Sequence, residues 1–220
     1  MDCFKSTGKE AVVYRDLPAF DKVLIKDKLD VILIEGNSFG VRLEGGQNLL
    51  TLVRTEVESG ELIITNENTC NVVRSYKRRI KLFVTAPRFR EITHRGVGDV
   101  SCKDVLHSDS LIYRVLNSGN MYLNVDNTHL TGSINGMGDI TCCGKTNMHI
   151  LNASGESHIN CGQLQTQKSD FYLKICGPSF ISVSQELRVV IRHSGNVYYN
   201  GNPTSVQQEI TGSGKLFNGF

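Results

Sequence analysis

The sequence predicts an all-β protein, a mostly parallel, single-stranded β-helix (β-solenoid) in which short strands wind into stacked coils. Three observations support this fold class. A glycine-containing phrase, of which Gly96-Val-Gly98-Asp-Val is one copy, recurs between residues 95 and 217. Apolar and polar residues alternate after most copies, which is the period of a strand with one buried face. Apolar residues at helical spacing are absent there, while residues of low helix propensity are dense.

The recurrence predicts the length of one coil. Its marker positions are separated by 21, 19, 17, 24, 16 and 19 residues, so a coil has about 19–20 residues, a period typical of solenoids. The markers are Gly98, Gly119, Gly138, Gly155, Ser179, Gly195 and Gly214. A sandwich of hairpins is the alternative fold, but it would show two-residue turns between strands of similar length.

The region before the repeats also has the pattern of strands. Residues 1–10 are predicted to be a polar tail. Residues 48–57 have mixed periodicity and are predicted to be mostly strand. Clearer alternation or apolar runs predict strands at residues 11–14, 29–34, 41–44, 61–65 and 80–84. No linker divides the chain, so residues 11–220 are predicted to form a single β-helix domain, with its glycine-paced coils clearest in residues 95–217.

Composition excludes several function classes. The net charge of +2 gives no overall field that would favour nucleic acid. The seven cysteines have no CxxC spacing, so neither a metal site nor a cofactor is predicted. Cys102 and Cys142 fall on inward strand positions and are interpreted as small buried apolar residues. Cys3, in the polar tail, is either a thiol without a role or a residue near a lipid anchor at the N-terminus.

An ordered combination of motifs covers about residues 18 to 217. It includes Phe20-Asp-Lys-Val23, the segment from Leu29 to Gly36, the segment from Glu56 to Ile64, Ala86-Pro87, and Gly96-Val-Gly-Asp-Val100. This order resembles the DUF2807 or head GIN domain family of Bacteroidota, whose label of auto-transporter adhesin rests on analogy. The resemblance implies a right-handed, mostly parallel β-helix and export to the periplasm, outer membrane or cell surface. It supplies no catalytic residues.

A basic cluster is the main candidate binding site. It would suit an acidic glycan or a lipid headgroup, although a solvated loop and strand face is the alternative interpretation. The cluster consists of Arg74, Lys77, Arg78, Arg79, Lys81, Arg88, Arg90 and Arg95. The six histidines lack metal-ligand spacing and are interpreted mainly as surface or bend residues, although His149 and His158 could meet between neighbouring coils.

Carboxylates after the bends suggest a second function class. Asp99, Asp139 and Glu156 follow bend glycines, so stacking would bring them together, as glycoside chemistry or Ca²⁺ binding requires. The alternative is that polar residues after a corner cap backbone N–H groups. An enzyme would also need a groove lined by aromatic residues. The candidates for such a lining are Tyr113, Tyr122, Tyr172, Tyr198 and Tyr199.

These observations favour a non-enzymatic, exported β-solenoid that presents a long side face to a glycan, protein or other cell-envelope partner. A carbohydrate-active β-helix enzyme, of the lyase or hydrolase kind, is the alternative. A third hypothesis is a module that forms homo-oligomers through exposed coil ends, because those ends are unpaired strand edges.

Overall fold

The structure, a computed structural model, describes residues 7–68 and 80–220. It confirms a mostly parallel β-solenoid with about seven turns. The elements are β1 Glu10–Asp16, β2 Lys22–Asp27, β3 Asp30–Glu35, β4 Gly40–Gly46, α1 Gln47–Leu50, β5 Val53–Glu58, β6 Glu61–Asn66, β7 Lys81–Ala86, β8 Glu91–Gly96, β9 Asp99–Cys102, β10 Leu106–Val115, β11 Asn120–Gly136, β12 Ile140–Gly155, β13 Ile159–Ile175, β14 Ser179–Ile191, β15 Val197–Asn200, β16 Ser205–Ile210 and β17 Leu216–Asn218.

The strands stack into two long faces. The first face follows the glycine bends and contains β7, β3, β9, the beginnings of β11 to β14, then β15 and β17, all parallel. The second face contains β6, β2, β8, β10, the later parts of β11 to β14, and β16, again all parallel. Successive coils therefore place residues about 19 positions apart directly beside each other.

The glycine bends form a column, but two of the predicted markers do not belong to it. A Cβ atom added at Gly138 would overlap the carbonyl oxygen of Gly119, and one at Gly195 would overlap that of Gly177. The column contains Gly98, Gly119, Gly138, Ser157, Gly177, Gly195 and Gly214, at steps of 21, 19, 19, 20, 18 and 19 residues. Gly155 pairs instead with Gly136, and Ser179 pairs with Ile159 and Val197.

The N-terminal end is not part of the sequential stack. The coil formed by β6 and β7 pairs with the outer edges of β2 and β3, although it comes later in the chain than they do. Antiparallel strands then cover this coil, with β5 on β6 and β4 between β7 and β1.

The prediction of mostly strand for residues 48–57 is correct only in its second part. Residues Gln47 to Leu50 form the short helix α1, and β5 begins at Val53. Leu49 and Leu50 are buried against the core. Burial of these two leucines at the end of the solenoid overrides the weak alternation of the local sequence.

The core is a set of inward-facing columns along the solenoid axis. One column passes through Val31, Val100, Met121, Ile140 and Ile159, all of which are fully buried. Cys142 and Cys161 occupy neighbouring buried positions, as expected for Cys142, whereas Cys102 is only half-buried. The five cysteines in the described residues are free thiols; Cys3 and Cys70 lie outside those residues.

Candidate functional site

A groove of about 890 Å³ runs along one corner of the solenoid. Strands β10 to β13 each contribute a polar triplet at the same position of the coil. These triplets are residues 107–109, 126–128, 145–147 and 165–167, and Pro87, Arg88 and Ser184 complete the lining. The groove thus crosses several consecutive coils, each about 4.8 Å from the next. It is an extended site rather than an enclosed pocket.

The middle residues of the triplets form one column, made of Ser108, Asn127, Thr146 and Thr166. The two threonine hydroxyls are satisfied locally: Thr146 donates to the carbonyl oxygen of Met148 at 3.3 Å, and Thr166 donates to that of Ser182 at 2.7 Å. Both amide atoms of Asn127 and the hydroxyl of Ser108 are buried with no hydrogen-bond partner among the described residues.

These unpartnered groups make the Ser108–Asn127 part of the groove the position best suited to a ligand. A buried polar group without a partner costs about 1–3 kcal/mol, so such groups in proteins are usually satisfied by water or by a bound molecule. An amide offers both a donor and an acceptor, and a hydroxyl offers the same. The complementary ligand therefore carries groups that both donate and accept, as alcohol groups do.

The charges of the lining balance. The formal positive charges of Arg88 and Lys145 equal the formal negative charges of Asp109 and Asp126, so these four residues sum to zero. Lys145 and Asp126 form an ion pair with 3.1 Å between Nζ and Oδ2, so part of this charge is already neutralised. His107 contacts Glu35, with 3.0 Å between Nδ1 and Oε2. The groove is thus polar but nearly neutral, which favours uncharged hydroxyl-rich ligands over strongly anionic ones.

Of the carboxylates predicted to meet after the bends, Asp139 has a structural role in a series of bonds between coils. Side-chain oxygens of Asp30, Asn120 and Asp139 accept backbone N–H groups of the next coil, from Asp99 at 3.2 Å, Asp139 at 3.0 Å and His158 at 2.7 Å respectively. The same contact recurs between the side chain of Asn196 and the N–H group of Lys215, at 3.0 Å. The capping interpretation is therefore confirmed for Asp139.

Glu156 does not join this series. Because Gly155 belongs to the Gly136 column, Glu156 lies two residues before the position expected for the acid, and His158 occupies that position. The three acids thus do not form a cluster. In the described residues, no group of three or more His, Cys, Asp or Glu side chains could hold a metal ion.

The basic cluster is only partly within the described residues. Arg74, Lys77, Arg78 and Arg79 lie outside them. Lys81 is exposed on β7, beside Asp30 and Glu44 in the strand register. Arg90 forms an ion pair with Asp21, with 3.3 Å between Nη1 and Oδ2.

Arg88 and Arg95 lie at different hollows. Arg88 lines the groove, whereas Arg95 lines a smaller hollow of about 410 Å³ beside Asp27 and Asn117. The four described members are thus dispersed along the chain's path, and an anion site that combines them with the other four residues stays a prediction.

Two histidines are buried, contrary to the surface interpretation. The Nε2 atom of His149 lies 2.9 Å from the hydroxyl oxygen of Tyr113 in the core, while its Nδ1 atom has no partner among the described residues. Burial lowers the pKa of His149 to about 3. His158 is exposed and contacts Asp139 at 3.0 Å, so His149 and His158 do not meet. The neutral imidazole fits the core because Gly132 leaves room for the Tyr113 ring.

His94 is the second buried histidine. It accepts the N–H of Gly96 at Nδ1, at 3.3 Å, and its Nε2 lies 2.8 Å from the carbonyl oxygen of Gly98. The neutral tautomer with hydrogen on Nε2 satisfies both contacts. His94 therefore fixes the first glycine bend from inside, and burial lowers its pKa.

None of the tyrosines proposed for an enzyme groove lines this groove. Tyr113 is in the core, while Tyr122 and Tyr172 are exposed elsewhere. Sequence analysis singled out Arg88, but not the triplet residues, as a candidate for binding. Their signal is a polar triplet between two apolar runs at the same place in successive repeats, as in Asp126-Asn-Thr128 and Lys145-Thr-Asn147.

Within residues 7–68 and 80–220, no helix is both long enough and apolar enough to cross a lipid bilayer. No curated protein matches the chain in sequence.

Solved structures show the same fold. A protein from Bacteroides fragilis described as a "putative adhesin" superimposes with a TM-score of 0.89, at 21% identity over 96% of this chain and 97% of that chain. A "putative lipid binding protein" from Parabacteroides distasonis gives 0.74, at 20% identity over 98% of both chains. A "putative adhesin" from Parabacteroides merdae gives 0.72, at 16% identity over 98% of both chains.

A family model extends over most of the sequence. The family is described as "Putative auto-transporter adhesin, head GIN domain", and its model matches residues 19–203. This range includes every strand from β2 to β15 and almost the whole groove-bearing stack. The chain therefore belongs to the DUF2807 head GIN domain family.

Proposed function

We propose that this protein is a non-catalytic adhesin exported to the cell surface, and that its groove binds an extended, hydroxyl-rich polymer such as a polysaccharide chain. The observation that carries this proposal is the repetition of a polar triplet on consecutive coils. A repeating site fits a repeating ligand, because each coil offers the same kind of contact to the next unit of a chain. Family membership and the adhesin descriptions of the structural relatives support the class.

The composition of the groove supports a glycan rather than a lipid. One structural relative is described as lipid binding, but an acyl chain requires an apolar lining. Here the lining consists mainly of Ser, Thr, Asn, Gln and Asp side chains. The buried amide of Asn127 would be left without partners beside a hydrocarbon chain, whereas sugar hydroxyls can satisfy it.

The lining also supports binding without catalysis. Glycosidases need two carboxyl groups placed about 5–10 Å apart across the scissile bond. Of the acids in the groove, Asp126 is held in the ion pair with Lys145 and Asp109 is exposed on the neighbouring coil. Asp30 and Asp139 accept backbone N–H groups on the first face instead.

A binding screen against purified polysaccharides and cell-envelope fractions tests the proposal. We expect the double variant Asn127→Leu/Thr146→Val to reduce affinity roughly tenfold or more, because a polar ligand loses the hydrogen bonds of the Asn127 amide and the neighbouring position of the column becomes apolar. The matched control is Thr141→Val/Asn160→Leu, which makes the same chemical changes on the outer side of the first face. Equal loss in both variants, or none in the groove variant, would contradict the proposed site.

A further inference from the structure

The last coil of the solenoid leaves core positions open. Val206 and Ile210 of β16 follow in register from Leu187 and Ile191, which are 1% exposed. Val206 and Ile210 are each 40% exposed, although they occupy the same inward columns. In residues 7–68 and 80–220, no strand pairs with the outer edges of β16 and β17. The C-terminal end is therefore a partly apolar surface, with Gln208 between Val206 and Ile210, and it is bordered by free strand edges.

An aromatic stack ends at the same surface. The rings of Phe180, Tyr198 and Phe217 lie on successive coils of the first face, with centroids 5.3 and 5.1 Å apart and interplanar angles of 16°. Phe220 packs against the edge of Phe180 at 5.3 Å. Tyr198, the inner ring of the stack, has a stacked ring on both sides, whereas Phe217 has a ring on one side only among the described aromatic residues. Its other face points in the direction of a next coil.

The two ends of the molecule differ in how they protect their edges. Charged residues occupy six of the thirteen positions in β1 and β5, but only one of the nine in β16 and β17. Charged edge strands are a common protection against edge-to-edge pairing. The N-terminal end also has α1 and an antiparallel cover, so it is built as a closed end, whereas the C-terminal end is not.

We propose that the C-terminal end is an interface with a second copy of this chain, joined tail to tail about a two-fold axis. Two-fold symmetry places β17 of one copy antiparallel to β17 of the other, so the free edges pair and the aromatic stack continues from one Phe217 ring to the other. The end carries one acid, Glu209, and one base, Lys215, so two identical surfaces meet without net repulsion.

A head-to-tail arrangement is less favourable for the same reasons. It would place the apolar C-terminal end against the charged edges of β1 and β5, and it would not close, which produces filaments. The tail-to-tail arrangement closes after two copies.

Sedimentation of the full chain over a range of protein concentrations tests the interface. We expect a monomer–dimer equilibrium without larger species. In Val206→Lys/Ile210→Lys, like charges would face each other at the two-fold axis, so the dissociation constant should rise roughly tenfold or more. Phe217→Ser should weaken the dimer in the same direction, and it removes a partly exposed ring without disturbing the core.

The matched control is Val12→Lys, which changes an exposed residue of β1 at the opposite end and should leave the dimer unchanged. Circular dichroism establishes that each variant is folded. A wild-type chain that stays monomeric at every concentration would overturn the proposal, as would a dimer that all three C-terminal substitutions leave intact. Filaments that Val12→Lys abolishes would establish head-to-tail contact and overturn it as well.

Discussion

The two ends of this solenoid are built by different means. From β10 to β15, each strand pairs with strands that lie one coil before and one coil after it in the sequence. Before β10, strand order in space departs from order in the chain, and antiparallel strands with a short helix cover the first coil. The sequential part repeats one pattern of parallel strand pairing, whereas the N-terminal part uses different pairings to cover the end of the core.

This difference explains where each part obtains its stability. In the sequential stack, backbones approach so closely at the bends that a side chain is excluded at most positions of the glycine column. In the N-terminal part, burial of apolar side chains such as Leu49 and Leu50 closes the end. Substitutions that add a side chain at a bend should therefore destabilise the sequential stack most, whereas substitutions that remove a buried side chain should destabilise the N-terminal part.

The largest expected effect concerns the bend column. Gly138→Ala should lower the free energy of unfolding by about 4 kcal/mol or more, because the new Cβ atom overlaps the carbonyl oxygen of Gly119 and neighbouring coils must separate. Gly60→Ala, in the hairpin between β5 and β6, is the control. Gly60 has φ of +79° but open space around it, so only the local backbone cost of about 1 kcal/mol is expected. Urea unfolding followed by circular dichroism measures both, and equal losses would contradict the distinction.

The sequence predicted the sequential stack because its physical cause is local. Each coil needs a bend without a Cβ atom and an alternating strand after it, and both are visible in about 20 residues. Two markers were misplaced because the phrase is degenerate at those coils. At Ser157 a serine replaces the glycine of the repeat. The nearby Gly155 therefore matches the repeated phrase better in sequence, even though it belongs to the Gly136 column.

The N-terminal arrangement could not be read in the same way. Pairing of β6 with β2, and of β7 with β3, joins segments about 40 to 50 residues apart and leaves no periodic signal. The helix α1 has only four residues, too few for a helical period to appear. Its position depends on an opening in the core that exists only in the folded protein.

The candidate site was missed for a chemical reason. The groove triplets are not a copy of any catalytic or metal-binding motif, and most of their members are Ser, Thr, Asn or Gln, so their value lies in repetition along the stack. The basic cluster, in contrast, was conspicuous in sequence. Its described members diverge because Arg88 precedes β8 and Arg95 is near the end of that strand, so the two side chains reach different surfaces.

A second comparison concerns the loss of stability caused by truncating an apolar side chain in α1 and in the last coil. Leu50→Ala should lower the free energy of unfolding by about 3 kcal/mol, because Leu50 is 1% exposed and the substitution leaves a cavity. Val206→Ala should cost less than about 1 kcal/mol, because Val206 is already partly in water. The measurement is chemical unfolding at a concentration low enough to keep the chain monomeric. A large loss from Val206→Ala under these conditions would mean that the C-terminal end is covered within one chain.

The smallest expected effect compares the buried histidines of the two parts by their response to acid. His149 has a folded-state pKa of about 3, below its unfolded value of about 6.5. Since the folded state binds the proton less readily, its stability contribution is complete above pH 6.5 and is lost as the pH falls from 6.5 towards 3. The loss is about 1.4 kcal/mol per pH unit, or about 2 kcal/mol at pH 5.

The double variant Tyr113→Phe/His149→Leu isolates this contribution, because it removes the buried proton acceptor together with its hydroxyl partner. Unfolding free energies measured between pH 7 and pH 5 should fall by about 2 kcal/mol less in the variant than in the wild type. His94 remains in both proteins and supplies an internal reference, because its pKa is also lowered by burial but both of its ring nitrogens have partners. An unchanged pH slope in the variant would show that protonation of His149 is not resisted by the core, and the acid sensitivity would then belong to the N-terminal part.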